Sequence, residues 1–294
     1  MLPRVDAMKK YKDIVGDGGS NVVAQVGEQQ ARLKRRLDAV RFVVAVVSGK
    51  GGVGKSTVTA NLAASWASKG WRVGVLDADL NGPSMAKMLG VRGRPLAVAG
   101  DAVDPPRSAT GIAVMSMDLL LSSDDEPLHW RAPTQQEAHT WRGTMEAQAL
   151  REFLADTAWG ELDALVIDLP PGTDRLATVV SLVPVLAGVV IVTIPSDVSQ
   201  LVVRKSITVA REEKASILGL IENMAGLFPG PDTATLAAEA GIPFLGAVPF
   251  DRGLSLASDR GDPFVVTEAA APAARALTVI AEKIRDGLER RPRC

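Results

Sequence analysis

The chain is poor in cysteine, histidine and aromatic residues, and each shortage removes a class of function. Its one cysteine, Cys294, is the last of 294 residues. An intrachain disulfide is excluded, and so is a metal site built only from one chain's cysteines. Such cysteine usage fits a reducing compartment. The two histidines, His129 and His139, show no metal-ligand spacing and read as surface residues. Aromatics make up only 4%, so Val, Ile, Leu and Ala must fill the core that a 47% hydrophobic composition provides. Neither sign of charge dominates: the formal net charge is −1, so no global field draws the chain to nucleic acid or acidic lipid, and no nucleic-acid partner is expected. Long apolar runs are also missing. The longest, Leu182 to Ile194, falls short of the roughly 18 residues of a membrane span and reads as a buried strand with its approach. No stable membrane insertion is expected. The opening Met-Leu-Pro-Arg-Val-Asp lacks the apolar centre of a secretion signal, so a cytoplasmic location is expected.

Residues 1–40 are polar and charged, with Gly-Asp-Gly-Gly-Ser at 16–20 and a helical, mostly solvated stretch from Gln25 to Arg36. They read as an N-terminal extension. From residue 41 to 294 the pattern is that of one α/β domain. Phe42 to Val47, Arg72 to Leu76, Ala164 to Ile167, Gly188 to Thr193, Ile217 to Ile221 and Pro243 to Val248 are short apolar runs. Helical stretches such as Ser56 to Lys69 and Gln200 to Lys214 alternate with them. Continuous apolar strands separated by helices predict a mostly parallel β-sheet flanked by helices on both faces. Residues 92–116 read as a hairpin-rich excursion. The stretch from Ser122 to Thr140 reads equally as a partner surface or a solvated loop.

The residues Gly49-Lys-Gly-Gly-Val-Gly-Lys-Ser56 fit the phosphate-loop pattern G-x-x-x-x-G-K-S/T, between an apolar strand and a helix, as the motif requires. Gly49, Gly51, Gly52 and Gly54 permit positive φ and close backbone approach. Successive N–H groups, including those of Lys50 and Val53, then form an anion nest at a helix N-terminus. Lys55 is expected to neutralise the β- and γ-phosphates, Ser56 to ligate Mg²⁺, and Thr57 to support the α-phosphate. The fold class expected is therefore a P-loop NTPase with ATP and Mg²⁺ as its ligands.

Acidic residues close two of the strands. In a parallel sheet the carboxyl ends of strands face the ligand crevice. Asp79 is the candidate for orienting an attacking water, and Asp77 for supporting it or the metal shell. Asp168 occupies the position expected to hold Mg²⁺ through a water. Pro170-Pro-Gly-Thr-Asp174 follows, a stiffened loop in which Gly172 lets the backbone turn toward a γ-phosphate, as a hydrolysis-sensitive switch requires.

A lysine directly after the first glycine resembles the deviant Walker A group, whose members include MinD, ParA and the nitrogenase iron protein. That resemblance implies that Lys50 reaches the partner subunit's nucleotide in an ATP-dependent homodimer. More specifically, Ser48 to Thr57, Asp77-Ala-Asp-Leu-Asn-Gly-Pro-Ser84, Trp141-Arg-Gly143, Trp159-Gly-Glu-Leu-Asp163, Asp168-Leu-Pro-Pro-Gly-Thr173 and Glu222-Asn-Met224 occur in this order. Together they resemble the Mrp group, the ApbC-like iron–sulfur cluster carrier ATPases, over about residues 40–290. The resemblance implies slow, partner-regulated ATP hydrolysis, a client protein or apoprotein, and an adenine contact by Asn223. From the residues alone, a strand-end asparagine in a local turn is the lesser reading of Asn223.

One departure bears on the cargo. The family usually places a Cys-x-x-Cys shortly after Glu-Asn-Met, whereas here the chain runs Met224-Ala-Gly-Leu-Phe-Pro-Gly-Pro231. An iron–sulfur cluster normally needs about four thiolates, and a dimer of this chain offers two. Cluster binding by the chain itself is therefore not expected in the usual form. The alternative is a MinD- or ParA-like spatial organiser, for which an amphipathic C-terminal segment is relevant. Leu277, Ile280, Ile284 and Leu288 share one helical face, which the sequence assigns to docking on the core, where periodic apolar faces usually go. No acceptor-binding motif points to a small-molecule kinase.

Overall fold

The computed structural model of the protein describes residues 21–100, 102–121 and 135–291. Cys294, His129, residues 1–20 of the expected extension and most of the 122–140 stretch lie outside them. Chain order is α1 (Asn21–Asp38), β1 (Val40–Ser48), α2 (Lys55–Ser68), β2 (Val73–Asp77), α3 (Met85–Met88), β3 (Ala97–Ala99), β4 (Ala102–Asp104), β5 (Ala113–Met115) and α4 (Gln135–Asp156). It continues with β6 (Leu162–Asp168), α5 (Asp174–Leu182), β7 (Leu186–Thr193), α6 (Asp197–Glu212), β8 (Ile217–Ala225), α7 (Thr233–Glu239) and β9 (Phe244–Pro249). The helices α8 (Arg252–Arg260), α9 (Phe264–Thr267) and α10 (Pro272–Glu289) complete it.

Seven strands form one sheet in the order β5-β2-β6-β1-β7-β8-β9, and every adjacent pair is parallel. This is the expected fold. Successive residues of a strand face opposite sides, and both sides are covered. From β1, Phe42, Val44 and Val46 join a core with α2 and α10, while Val43, Ala45 and Val47 join a second core with α4, α5 and α6. Burial on both faces is why the strand sequences run continuously apolar instead of alternating.

One sequence expectation changes. The excursion at 92–116 contains one antiparallel hairpin, β3–β4, but Ala113–Met115 leaves it to pair with Gly74–Leu76 as a parallel edge strand of the main sheet. The helix at 25–36 is mostly exposed, as expected, and it is anchored at one face: Leu33 and Leu37 of α1 are buried, and Arg32 pairs with Asp156 of α4 at 3.2 Å. At the other end, Leu277, Ile280, Ile284 and Leu288 of α10 are all buried in the core shared with α2. The Trp66 indole N–H fixes α2 to α10 by donating to the Ala281 carbonyl at 2.9 Å.

Candidate nucleotide site

The central strand β1 ends at Ser48, and α2 begins seven residues later at Lys55. Gly49 is needed for clearance: a Cβ there would stand 2.5 Å from Val202 Cγ1 on α6. Gly54 has φ 76°, and a Cβ on it would come within 2.3 Å of Asn223 Nδ2. Gly54 is also the N-cap of α2, and no side chain caps it. The uncapped N–H groups and the positive end of the helix dipole are left for an anion. They border a cavity of about 270 Å³ lined by Lys50 to Thr57, with Ser48, Asp79, Ser84, Met88 and Pro171 completing the wall.

At the floor of this cavity, Asp168 gathers three residues of α2. Its Oδ2 accepts from Lys55 Nζ and from Ser56 Oγ, each at 2.6 Å, and its Oδ1 accepts from Thr59 Oγ1 at 2.6 Å. Lys55 Nζ also lies 3.2 Å from Ser56 Oγ. Lys55 and Asp168 are 6% and 0% exposed, so the pair is desolvated and must be satisfied internally. Thr59 escaped the motif reading. It lies one helical turn after Lys55, and that spacing is the signal that would have placed it on the same face.

Asp77 pairs in register with Asp168 across β2 and β6. Its carboxylate, however, is committed to the following loop. Oδ2 accepts from the Ser84 and Met85 N–H groups at 2.8 and 2.9 Å and from Ser116 Oγ at 3.0 Å, and Oδ1 accepts from the Asp79 N–H. Asp77 thereby folds the 77–85 loop, beside the position from which it is expected to support the water or the metal shell. Burial, and then the neighbouring Asp168 charge, push its carboxyl up to about 7, against the lowering effect of these hydrogen bonds. Asp79, two residues on, lines the phosphate cavity and accepts from the Gly82 N–H at 3.2 Å.

Asn223, at the end of β8, donates from Nδ2 to the Val53 carbonyl at 2.9 Å and so braces the phosphate loop. Just beyond it, Leu227 and Phe228 are exposed in the loop where the resemblance would put a cysteine pair. Lys50 lines the cavity, and its carbonyl accepts from Ser48 Oγ at 3.0 Å. The donor set meets the needs of Mg²⁺, a hard cation that takes oxygen ligands: the Ser56 hydroxyl and the Asp168 carboxylate converge beside the loop.

Residues 39–285 match the family model "ParA: NUBPL iron-transfer P-loop NTPase". The chain belongs to this family. A protein of Saccharolobus solfataricus named as an iron–sulfur cluster carrier is 40% identical over 272 residues, 88% of each chain. The human cytosolic Fe-S cluster assembly factor NUBP2 is 38% identical over 266 residues, covering 85% of this chain and 94% of its own. Among solved structures, a nucleotide-binding protein from Archaeoglobus fulgidus in complex with ADP superposes with a TM-score of 0.67 at 37% identity, over 84% of this chain and 95% of that one. The cell-division ATPase MinD of Pyrococcus furiosus shares the fold at 23% identity, with a TM-score of 0.62 over 84% of this chain. The chain is thus a P-loop NTPase of the iron-transfer family. Among its described residues, no helix is long and apolar enough to cross a membrane.

Proposed function

We propose that the protein is a cytoplasmic, ATP-binding and ATP-hydrolysing dimeric switch that serves iron–sulfur or other metallocofactor maturation. The observation that carries this reading is the buried Lys55–Asp168–Ser56–Thr59 cluster beneath the uncapped start of α2. It preorganises a cation, a metal ligand and a row of N–H donors where a triphosphate would lie, and phosphoryl transfer depends mainly on such positioning.

In this scheme the backbone of Gly49 to Gly54 cradles the phosphates and Lys55 turns from Asp168 toward the β- and γ-oxygens. Thr57 supports the α-phosphate, and Asn223 steadies the loop beside the adenine. Ser56 and Asp168 would hold Mg²⁺, which when bound supplies charge neutralisation on the phosphate oxygens. Asp79 orients the water that attacks the γ-phosphorus. Lys50 extends to the partner subunit's nucleotide and closes the dimer only when ATP is present. Hydrolysis then relaxes 77–84 and 168–174 and alters the surface a client protein contacts.

The names of the relatives support an iron–sulfur cluster as cargo. Without a cysteine pair after Met224, we infer that the cluster is not held by this chain in the family's usual way, and that a client or partner supplies thiolates. The spatial-organiser alternative has less support, because the MinD likeness at 23% identity shows only the fold and the apolar face of α10 is buried.

The test is phosphate release from Mg·ATP beside a Lys55→Ala control, followed by anaerobic reconstitution with iron and sulfide of the wild type and of Cys294→Ser. Turnover above the control with no stoichiometric cluster is expected. No turnover above the control would overturn the switch. A stoichiometric cluster lost in Cys294→Ser would overturn the shared-thiolate part and return cluster binding to the chain.

A further inference from the structure

Glu146 belongs to no motif of the nucleotide site, yet its side chain is only 6% exposed. It sits on α4 and binds two segments at once. Its Oε1 accepts from Asn81 Nδ2 at 2.9 Å, and its Oε2 is ion-paired with the Arg175 guanidinium. Asn81 lies in the 77–84 loop that carries Asp79. Arg175 is the second residue of α5, immediately beyond the 168–174 loop that begins at Asp168. One buried carboxylate therefore ties together the two loops that bear the site's acids.

These groups line a second cavity, of about 280 Å³, with Leu80, Pro170 and Pro171 in its wall. Pro171 also lines the nucleotide cavity, so the two cavities share a wall residue. Gly143, one turn before Glu146, lies beside the guanidinium, where a Cβ would stand in ordinary contact at 4.0 Å from an Arg175 nitrogen. The carboxylate side of this ion pair is nearly fully buried and the Arg175 side is 32% exposed, so a shift of Arg175 with its loop works against the pairing.

We propose that Glu146 is a positioning residue that couples the 77–84 and 168–174 loops to each other through α4, so that Asp79 and Asp168 reach their working positions together. The coupling rests on the reading of this site as a nucleotide-hydrolysing switch. Its role is in the concerted response to the γ-phosphate and not in nucleotide affinity.

The test uses Glu146→Gln, which keeps an acceptor for Asn81 but removes the charge facing Arg175. Arg175→Lys, which keeps the charge and loses the planar fork, serves as the second variant. Steady-state ATP hydrolysis gives kcat and KM, and hydrogen exchange follows residues 78–84 and 169–175 with ADP and with a non-hydrolysable ATP analogue. In the wild type both segments gain protection together with the analogue. In either variant KM and ADP affinity stay within twofold, kcat falls by about 2- to 30-fold, the range of coupling through packed networks, and the two segments respond separately. Combining Glu146→Gln with Arg175→Lys costs no more than the larger single effect. Joint protection and an unchanged kcat in both variants would overturn the proposal. So would losses confined to thermal stability and nucleotide affinity, which mark a merely structural pair. If the wild type binds ADP but releases no phosphate, the hydrolysis reading fails, and the exchange data still decide whether the loops are coupled.

Discussion

Lys55 and Asp168, 113 residues apart in the chain, form a buried ion pair with 2.6 Å between Nζ and Oδ2. The lysine proposed to meet the phosphates is thus compensated by Asp168 in the nucleotide-free protein. Asp168 also accepts from Ser56 and Thr59, so its oxygens keep hydrogen bonds without Lys55 but lose the compensating charge.

Replacing Lys55 tests both halves of that arrangement. Lys55→Ala removes the phosphate contact and leaves Asp168 without its cation. Turnover is expected to fall by at least about 100-fold, the cost of removing one transition-state donor. In the nucleotide-free protein, unfolding stability should also drop by about 3 kcal/mol, the cost of breaking a buried pair. Phosphate release and urea unfolding check the two effects; retained affinity and turnover would refute the role given to Lys55.

Lys50 separates nucleotide binding from assembly. Lys50→Ala leaves Lys55, Ser56 and Asp168 untouched, so ADP should still bind, within about tenfold of wild type given one lost charge near the phosphates. The ATP-dependent dimer should disappear. Light scattering with and without a non-hydrolysable ATP analogue measures this, and a dimer that persists in the variant removes Lys50 from the interface.

The strands were legible because burial on both faces makes them continuous apolar runs, as in Phe42 to Val47 and Ala164 to Ile167. The phosphate loop was legible because its geometry demands glycine and lysine at fixed spacing. Short-range patterns could not show three other features. Ala113–Met115 is too brief to announce itself as a strand, and it owes its place to pairing with β2. Asp77 looked like Asp79 in sequence, but only the fold shows that the Ser84 and Met85 N–H groups donate to its carboxylate and fold the loop around it. Glu146 meets Asn81 and Arg175 only through the fold, across 65 residues in the first case.

Asp77 should give the nucleotide-free protein a distinctive pH dependence. Its native carboxyl is raised from the ordinary 3.8 to about 7, chiefly by burial and then by Asp168. Between about pH 4 and 7 the native state holds this proton and the unfolded chain does not. The proton's contribution is full below pH 4, is lost as pH rises through about 7, and corresponds to on the order of 4 kcal/mol across the window. Asp77→Asn lacks it. Urea midpoints of wild type and variant, measured at intervals from pH 5 to pH 8, should show the wild type losing ground as pH rises. A constant difference would mean that Asp77 is ionised throughout.

The last prediction concerns α1, whose charged sequence hides an anchor. Leu33 and Leu37 lie four residues apart on one helical face and are both buried, while Gln30 on the same helix is exposed. Leu37→Ala should therefore cost about 2–4 kcal/mol, as removal of a buried leucine side chain does when the surroundings cannot fully collapse. Gln30→Ala should change stability by less than about 0.5 kcal/mol. Because α1 leads into β1 at the end of the sheet away from the phosphate loop, ADP affinity should be the same in both variants under conditions where both are folded. Thermal unfolding with and without ADP checks the pair. Equal stability of the two variants would return α1 to a solvated extension. A selective loss of ADP affinity in Leu37→Ala would mean instead that packing of α1 against α4 bears on the nucleotide site.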